Sequence, residues 1–156
     1  MIGLLQRVDT AQVAVEGAVI AAVQRGLLVL VGVEAGDGKA EADRLLERLL
    51  GYRVFPDGER RMNLSLRDVG GGLLLVPQFT LAADTRKGAR PSFTPAAAPE
   101  AGKALFDYLL ERATATHSPV AAGRFGADMK VALTNDGPVT FWLRVPPAAG
   151  GAVEIG

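Results

Sequence analysis

The sequence predicts one α+β domain with a mainly antiparallel or mixed sheet and two main helices. Three observations carry this. Apolar residues alternate with a period of two over more segments than repeat at helical spacing. Several of these strand-like runs follow one another with no helix between them, unlike the alternation of a doubly wound parallel sheet. The chain has 156 residues, of which 49% are hydrophobic, enough for one core.

Ile2, Leu4, Gln6 and Val8 alternate with Gly3, Leu5 and Arg7, so 2–8 reads as a strand. Val13 and Val15 suggest a second, short one. The run 26–33 is apolar on both faces, as in a central strand covered on both sides. From Lys39 to Leu50 the period changes: Leu45, Leu46, Leu49 and Leu50 fall on one stripe, with Glu41, Arg44, Glu47 and Arg48 elsewhere, and Gly51 can end the helix. Residues 52–55 read as a short strand before the turn Pro56-Asp57-Gly58. Gly70-Gly71-Gly72 leads into a buried strand, 73–76, and residues 84–97 read as loop. A second helix is expected from Glu100 to Ala113, burying Ala101, Ala104, Leu105, Tyr108 and Leu109. Residues 129–134 and 139–145 read as alternating strands joined by a turn, Asn135-Asp136-Gly137-Pro138. The domain is expected to span 1–145, with 146–156 a frayed tail.

Composition narrows the function. The 17 basic and 17 acidic residues cancel, so any RNA contact must come from a local patch. There are no cysteines, which excludes disulfides, a thiol nucleophile and thiolate metal sites. The N-terminal apolar run is too short for a signal peptide, and no stretch suggests a membrane span, so a cytoplasmic protein is expected. One histidine, His117, stands in an expected exposed loop with no nucleophile or carboxylate placed beside it by sequence. It cannot form a multi-histidine metal site, and neither metal nor cofactor is expected.

Gly32 to Lys39 has the look of a phosphate loop. Val33 stands where the first glycine belongs and Ala40 replaces the hydroxyl residue, so an ordinary strand-to-helix turn is the expectation. Two other segments stand apart. Pro77-Gln78-Phe79-Thr80-Leu81-Ala82 follows a buried strand, where polar groups and backbone N–H can meet a ligand; from spacing alone a strand that simply ends at an edge is the favoured reading. Asn135-Asp136-Gly137-Pro138-Val139-Thr140 reads alone as a hairpin turn with a bond before Pro138 open to the cis form.

Taken together, these two segments resemble the paired signature of bacterial D-aminoacyl-tRNA deacylases. Gln6-Arg7, Gly51-Tyr52-Arg53-Val54-Phe55, Met62-Asn63-Leu64, Arg90-Pro91-Ser92-Phe93, Gly123-Arg124-Phe125 and Phe141-Trp142-Leu143 resemble the same family in order and spacing, over about residues 1–145. The resemblance implies a barrel-like deacylase fold and a homodimer acting on the acceptor end of aminoacyl-tRNA. It implies that Gly137-Pro138, with a cis bond, enters the partner's active site and excludes an L side chain while admitting a D-amino acid or glycine. Arg7 and Asn135 belong to that element, Arg7 holding the pair in place. On an apolar strand face, Arg7 needs partners such as backbone carbonyls.

The catalytic expectation falls on Gln78, Phe79 and Thr80: backbone N–H groups of Phe79 and Thr80 for the oxyanion, and Gln78 to position substrate or support the loop. Thr80 as a nucleophile lacks a neighbouring base, so activation of water with help from the tRNA's terminal ribose hydroxyl is preferred. Arg86, Lys87 and Arg90 are the expected phosphate contacts, against the reading of a solvated charged loop. One residue departs from the family: Pro77 replaces a usual serine, removing a hydroxyl and an N–H. A non-catalytic aminoacyl-tRNA-binding module is the rival reading.

Overall fold

The computed structural model describes residues 1–148. In chain order it contains β1 (Ile2–Val15), β2 (Ala18–Val23), β3 (Gly26–Gly32), helix α1 (Lys39–Gly51), β4 (Phe55–Pro56), β5 (Met62–Leu64), α2 (Leu66–Val69), β6 (Gly72–Pro77), a 3-10 turn (Phe79–Ala82), α3 (Pro99–Thr116), β7 (Val120–Ala122) and β8 (Lys130–Arg144). The main sheet is mixed and nearly closed, in the order β2-β1-β3-β6-β7, with β8 on the other side of β1. β3 and β6, and β6 and β7, are parallel; the pairings of β1 are all antiparallel.

β1 is one strand of 14 residues rather than the two short ones expected. It pairs with β3 through Ile2–Val8 and with β2 through Ala11–Val15, so it serves two neighbours in turn. Val8 faces the same core as Ala11 and Val13, which breaks strict alternation. That break coincides with a register shift against β8 between Val8 and Thr10, and it explains why the sequence pattern lapses there.

Two apolar layers result. On one face Leu5, Leu27, Val29, Leu73 and Leu75 pack against α1 and α3. On the other, Val8, Val13, Val23, Leu28, Leu74 and Val76 form a second core under the curl of the sheet. The run 26–33 is apolar on both faces because both faces are covered. In α1 the stripe Leu45, Leu46, Leu49 and Leu50 is buried as its spacing predicts. Glu41, read as outside that stripe, is buried too: Gly38 N–H donates to its Oε2 at 2.7 Å and Ala148 N–H to its Oε1 at 3.1 Å. The helix thus caps its own N-terminus, and 32–39 is the ordinary turn expected.

The buried face of α3 is rotated from the expected one. Gly102, Leu105, Phe106, Leu109 and Ala113 are buried, while Ala101 and Ala104 are exposed and Tyr108 is half-buried. Gly102 leads the stripe and lies beneath the Phe125 ring, 3.6 Å from where a Cβ would stand, an ordinary packing distance. His117 is not an exposed loop residue. It ends α3, its N–H donating to Ala113, and its Nε2 lies 2.7 Å from the Gly71 carbonyl. It therefore ties the helix end to the start of β6.

The second large correction concerns 135–138. These residues do not turn the chain back. β8 runs 15 residues in one direction along β1, and the segment is a bulge within it. Of the expected tail, Pro147 packs on Gly36 and Ala148 on Glu41; residues 149–156 lie outside the described residues. Among the described residues no helix is long and apolar enough to cross a membrane.

Candidate active site

The Gln78–Ala82 segment leaves the end of β6, where Gln78 N–H still donates to the Val31 carbonyl at 2.7 Å. Then the chain winds into the 3-10 turn. Its first N–H groups, on Phe79 and Thr80, have no carbonyl one turn behind them to bond. Among the described residues neither donates to any backbone or side-chain acceptor. Gln78 Nε2 donates to Thr80 Oγ1 at 2.5 Å, which fixes both side chains. Phe79 is 58% exposed and rests on Phe93, with ring centroids 5.1 Å apart.

Gly32 seats this turn. A Cβ there would lie 3.0 Å from Leu81 Cβ and 3.3 Å from the Gln78 carbonyl. The sequence reading missed it, having met Gly32 only as part of a false phosphate loop. Beside the turn lies a cavity of about 470 Å³, lined by Val31, Val76, Pro77, Gln78, Phe79, Phe106, Phe125, Met129 and Val131 among others. Its wall is apolar except at Gln78 and the backbone. Pro77 belongs to that wall. In β6, Leu73 N–H points to Pro119 and Gln78 N–H to β3, so the N–H that Pro77 lacks points toward β7. Pairing with β7 ends at Leu75 and Ala122, so no recorded ladder bond is lost.

Among the described residues, the side-chain hydrogen bond of Thr80 is to the Gln78 amide and not to a base. His117 is tied to Gly71 at the opposite end of β6. Among the described residues no group of three or more His, Asp or Glu side chains has metal-binding geometry.

Gly137-Pro138 is a cis peptide, and Gly137 has φ +126°. Gln6 pairs with Thr140 and Val8 with Asn135, so residues 136–139 all stand opposite Arg7 alone. Asn135 closes the neck of this bulge: its Nδ2 donates to the carbonyls of Arg7 at 3.0 Å and Val139 at 2.9 Å. Arg7, only 9% exposed, reaches into the bulge. Its Nη1 donates to the Val54 carbonyl at 2.7 Å, and its Nε lies 3.0 Å from Asp136 Oδ2. That last contact is ionic, since the Nε proton finds no hydrogen-bond acceptor. The guanidinium packs against Gly137, with Nη2 3.1 Å from the site of a Cβ. The expectation that Arg7 needs a backbone carbonyl is met by Val54, and Asp136 joins the set unforeseen.

Gly137-Pro138 does not line the cavity of its own chain. Arg7, opposite the bulge, pairs with Leu27, whereas Pro77 pairs with Val31. That places the two segments roughly 13 Å apart along the strands and roughly 14 Å across three strand spacings.

In the loop after the turn, Asp84 and Ser92 exchange backbone hydrogen bonds of 2.7 and 2.9 Å. Arg86 grips Asp84 with two nitrogens, at 2.7 and 2.8 Å. This side-chain hydrogen bonding from Arg86, together with the Arg86 N–H, lowers the Asp84 pKa to about 2. Lys87 and Arg90 are exposed and make no ion pair among the described residues.

Among the described residues, a nearly closed mixed sheet thus carries an unpaired pair of N–H groups beside an apolar cavity, with no base hydrogen-bonded to Thr80. The sequence model of the D-Tyr-tRNA(Tyr) deacylase family matches residues 4–144. The chain is 65% identical over 147 residues to the D-aminoacyl-tRNA deacylase of Methylococcus capsulatus, covering 94% of this chain and 96% of that one. It is 66% identical over 148 residues to that of Nitrosococcus oceani, covering 95% and 96%. A solved structure titled c-Myc DNA Unwinding Element Binding Protein superposes with a TM-score of 0.90 at 36% identity, covering 94% of this chain and 99% of that one. A probable eukaryotic D-amino acid tRNA deacylase shares the fold, with a TM-score of 0.75 at 20% identity over 91% and 97%. The chain belongs to the D-Tyr-tRNA(Tyr) deacylase family, whose members are hydrolases of the ester between amino acid and tRNA.

Proposed function

We propose that the protein is a homodimer that hydrolyses D-aminoacyl-tRNA, and glycyl-tRNA mischarged with that small residue, while rejecting L-aminoacyl esters. One observation carries the reading: Gly137-Pro138 is held rigidly from behind by Arg7 and Asn135, is exposed, and lies too far from Gln78 to act in its own chain. A partner subunit can supply it. The partner has a surface to bind. Leu30, Leu4 and Trp142 are cross-strand neighbours on the face away from the helices. Leu4 and Leu30 are only half-buried and Trp142 is 57% exposed. Such an apolar row, crossing β3 and β1 to end on the long edge strand β8, calls for cover.

In the assembled site the terminal nucleoside of the tRNA lies in the apolar cavity, placing its ester at the 3-10 turn. The N–H groups of Phe79 and Thr80 stabilise the tetrahedral oxyanion, a donor of this kind contributing roughly 10²–10³ in rate. Water attacks, aided by the neighbouring ribose hydroxyl, and Gln78 holds Thr80 as a structural partner rather than activating it as a nucleophile. The Gly137-Pro138 backbone occupies the side of the α-carbon where an L side chain projects, so selectivity arises by exclusion. Glycine has no side chain to exclude. Lys87 and Arg90 meet phosphates of the acceptor end, with Arg86 already committed in part to Asp84.

Subunit mixing tests this. A chain carrying Gly137→Val and one carrying Gln78→Ala together with Phe79→Pro are each inactive or unselective alone. Co-refolded, they regain D-specific turnover in the heterodimer, which holds one intact site. Failure to regain it, with dimers demonstrated by sedimentation, contradicts the cross-subunit site.

A further inference from the structure

We propose that the open groove between α3, β7 and the β1–β2 hairpin binds the nucleotide next to the tRNA's terminal nucleoside. Arg124 would meet the linking phosphate. This rests on the reading of the apolar cavity as the terminal-nucleoside site. The groove, of about 360 Å³, is lined by Ile20, Leu110, Ala122 and Arg124 and by the Lys103–Asp107 pair. It shares Phe106 and Phe125 with the cavity, so the two spaces lie on either side of one aromatic wall. A strand whose last nucleoside fills the cavity passes Phe125 into this groove within one nucleotide.

The chemistry matches a single-stranded nucleic acid. Such sites combine an aromatic or apolar platform for the base with a cation for the backbone. Phe125 and Ile20, the latter 36% exposed, offer the platform. Arg124 is exposed and has no carboxylate partner among the described residues. Lys103 does have one, Asp107 at 2.6 Å, so the groove's net charge comes from Arg124. Arg124 is also fixed at its root: its backbone N–H donates to Met129 Sδ at 3.3 Å, and Met129 lines the cavity. In the other basic loop near the site, Arg86 is gripped by Asp84, which leaves the exposed Lys87 and Arg90 for phosphates elsewhere along the acceptor end.

The test compares three substrates: D-tyrosyl-tRNA, the trinucleotide D-tyrosyl-CCA, and D-tyrosyl-adenosine. The wild type should prefer the trinucleotide over the adenosine by about tenfold or more in kcat/KM, as expected for stacking one base. Arg124→Glu and Ile20→Asp should each remove most of that preference and reduce turnover of the tRNA similarly, while D-tyrosyl-adenosine is cleared within about twofold of wild type. Arg124→Lys should restore most of the loss, and Arg124→Glu should lower the salt dependence of tRNA binding by the share of about one phosphate. Equal use of trinucleotide and adenosine by the wild type overturns the groove and leaves the cavity standing. So does full activity of both variants on tRNA. Equal losses on all three substrates place Arg124 in the fold rather than the groove. If the wild type turns over tRNA but not D-tyrosyl-adenosine, the cavity reading falls and the groove with it.

Discussion

The Arg7 guanidinium packs against the bare face of Gly137, with Nη2 3.1 Å from where a Cβ would stand, while Nη1 is anchored on the Val54 carbonyl. The strand that carries Arg7 also pairs with both flanks of the bulge. Gly137-Pro138 is therefore placed by a buried charge rather than by its own short backbone.

Replacing Arg7 by alanine removes a charged hydrogen bond and leaves the Val54 carbonyl buried. A loss of about 1.5–3 kcal/mol is expected. Thermal denaturation should show it, and deacylation assays should show L-aminoacyl-tRNA beginning to be cleaved. Arg7→Ala with unchanged melting and intact discrimination would mean that the bulge is held by Asn135 alone.

Gly137→Ala should be worse for selectivity than its size suggests. Its φ of +126° is disfavoured for an L residue, and the new Cβ would lie 2.7 Å from Val139 Cγ2. Strain of about 1–3 kcal/mol is expected to shift the bulge. The ratio of D to L turnover should drop by at least about tenfold, while the fold persists. Asp136→Asn keeps a polar partner for Arg7 and should be much milder.

Thr80→Ala should keep most of its kcat, because no base activates the hydroxyl and the backbone N–H remains. Trapping of an acyl-enzyme on Thr80 in the wild type would sink the water mechanism.

Gly32→Val should lower kcat by more than about tenfold with little effect on secondary structure. Its side chain would press on Leu81 and the Gln78 carbonyl and displace the Phe79 and Thr80 N–H groups proposed as oxyanion donors, whose geometry would set their worth. Circular dichroism and single-turnover deacylation separate the two effects.

The Asp84 carboxyl should titrate near 2, well below the usual carboxylate range, because Arg86 hydrogen-bonds to it. Its folded pKa is depressed, so the stabilisation is present above the unfolded value and is lost as pH falls through about 2. Carbon-detected NMR titration reads this directly. An Asp84 carboxyl titrating near 4 would show that the pair does not persist in solution.

Much of this was legible in the sequence, for particular reasons. The stripe of α1 and the two-faced run of β3 follow from periodicity, and both are buried as expected. The Gln78 segment and the Gly137-Pro138 segment stand apart locally, but each alone reads as a strand end or a turn, and only the family likeness of the pair gives them a role. What periodicity could not see was the bulge: Asn-Asp-Gly-Pro has turn chemistry, and nothing local says that the chain continues in the same direction. That fact is written in β1, 128 residues away, through the hydrogen bond that Asn135 Nδ2 donates to the Arg7 carbonyl. His117 reads as an exposed loop residue and Gly32 as no more than the start of a turn, because their partners, Gly71 and Leu81, are brought close only by the fold.

The most direct measurement is deacylation of matched D-tyrosyl-tRNA and L-tyrosyl-tRNA by the purified protein. The account predicts that the D ester is cleared at least about 100-fold faster, the scale of discrimination that a shaped site achieves. Comparable rates on both esters would contradict exclusion by Gly137-Pro138, and hydrolysis of neither would contradict the assignment of the Gln78–Thr80 turn as a catalytic site.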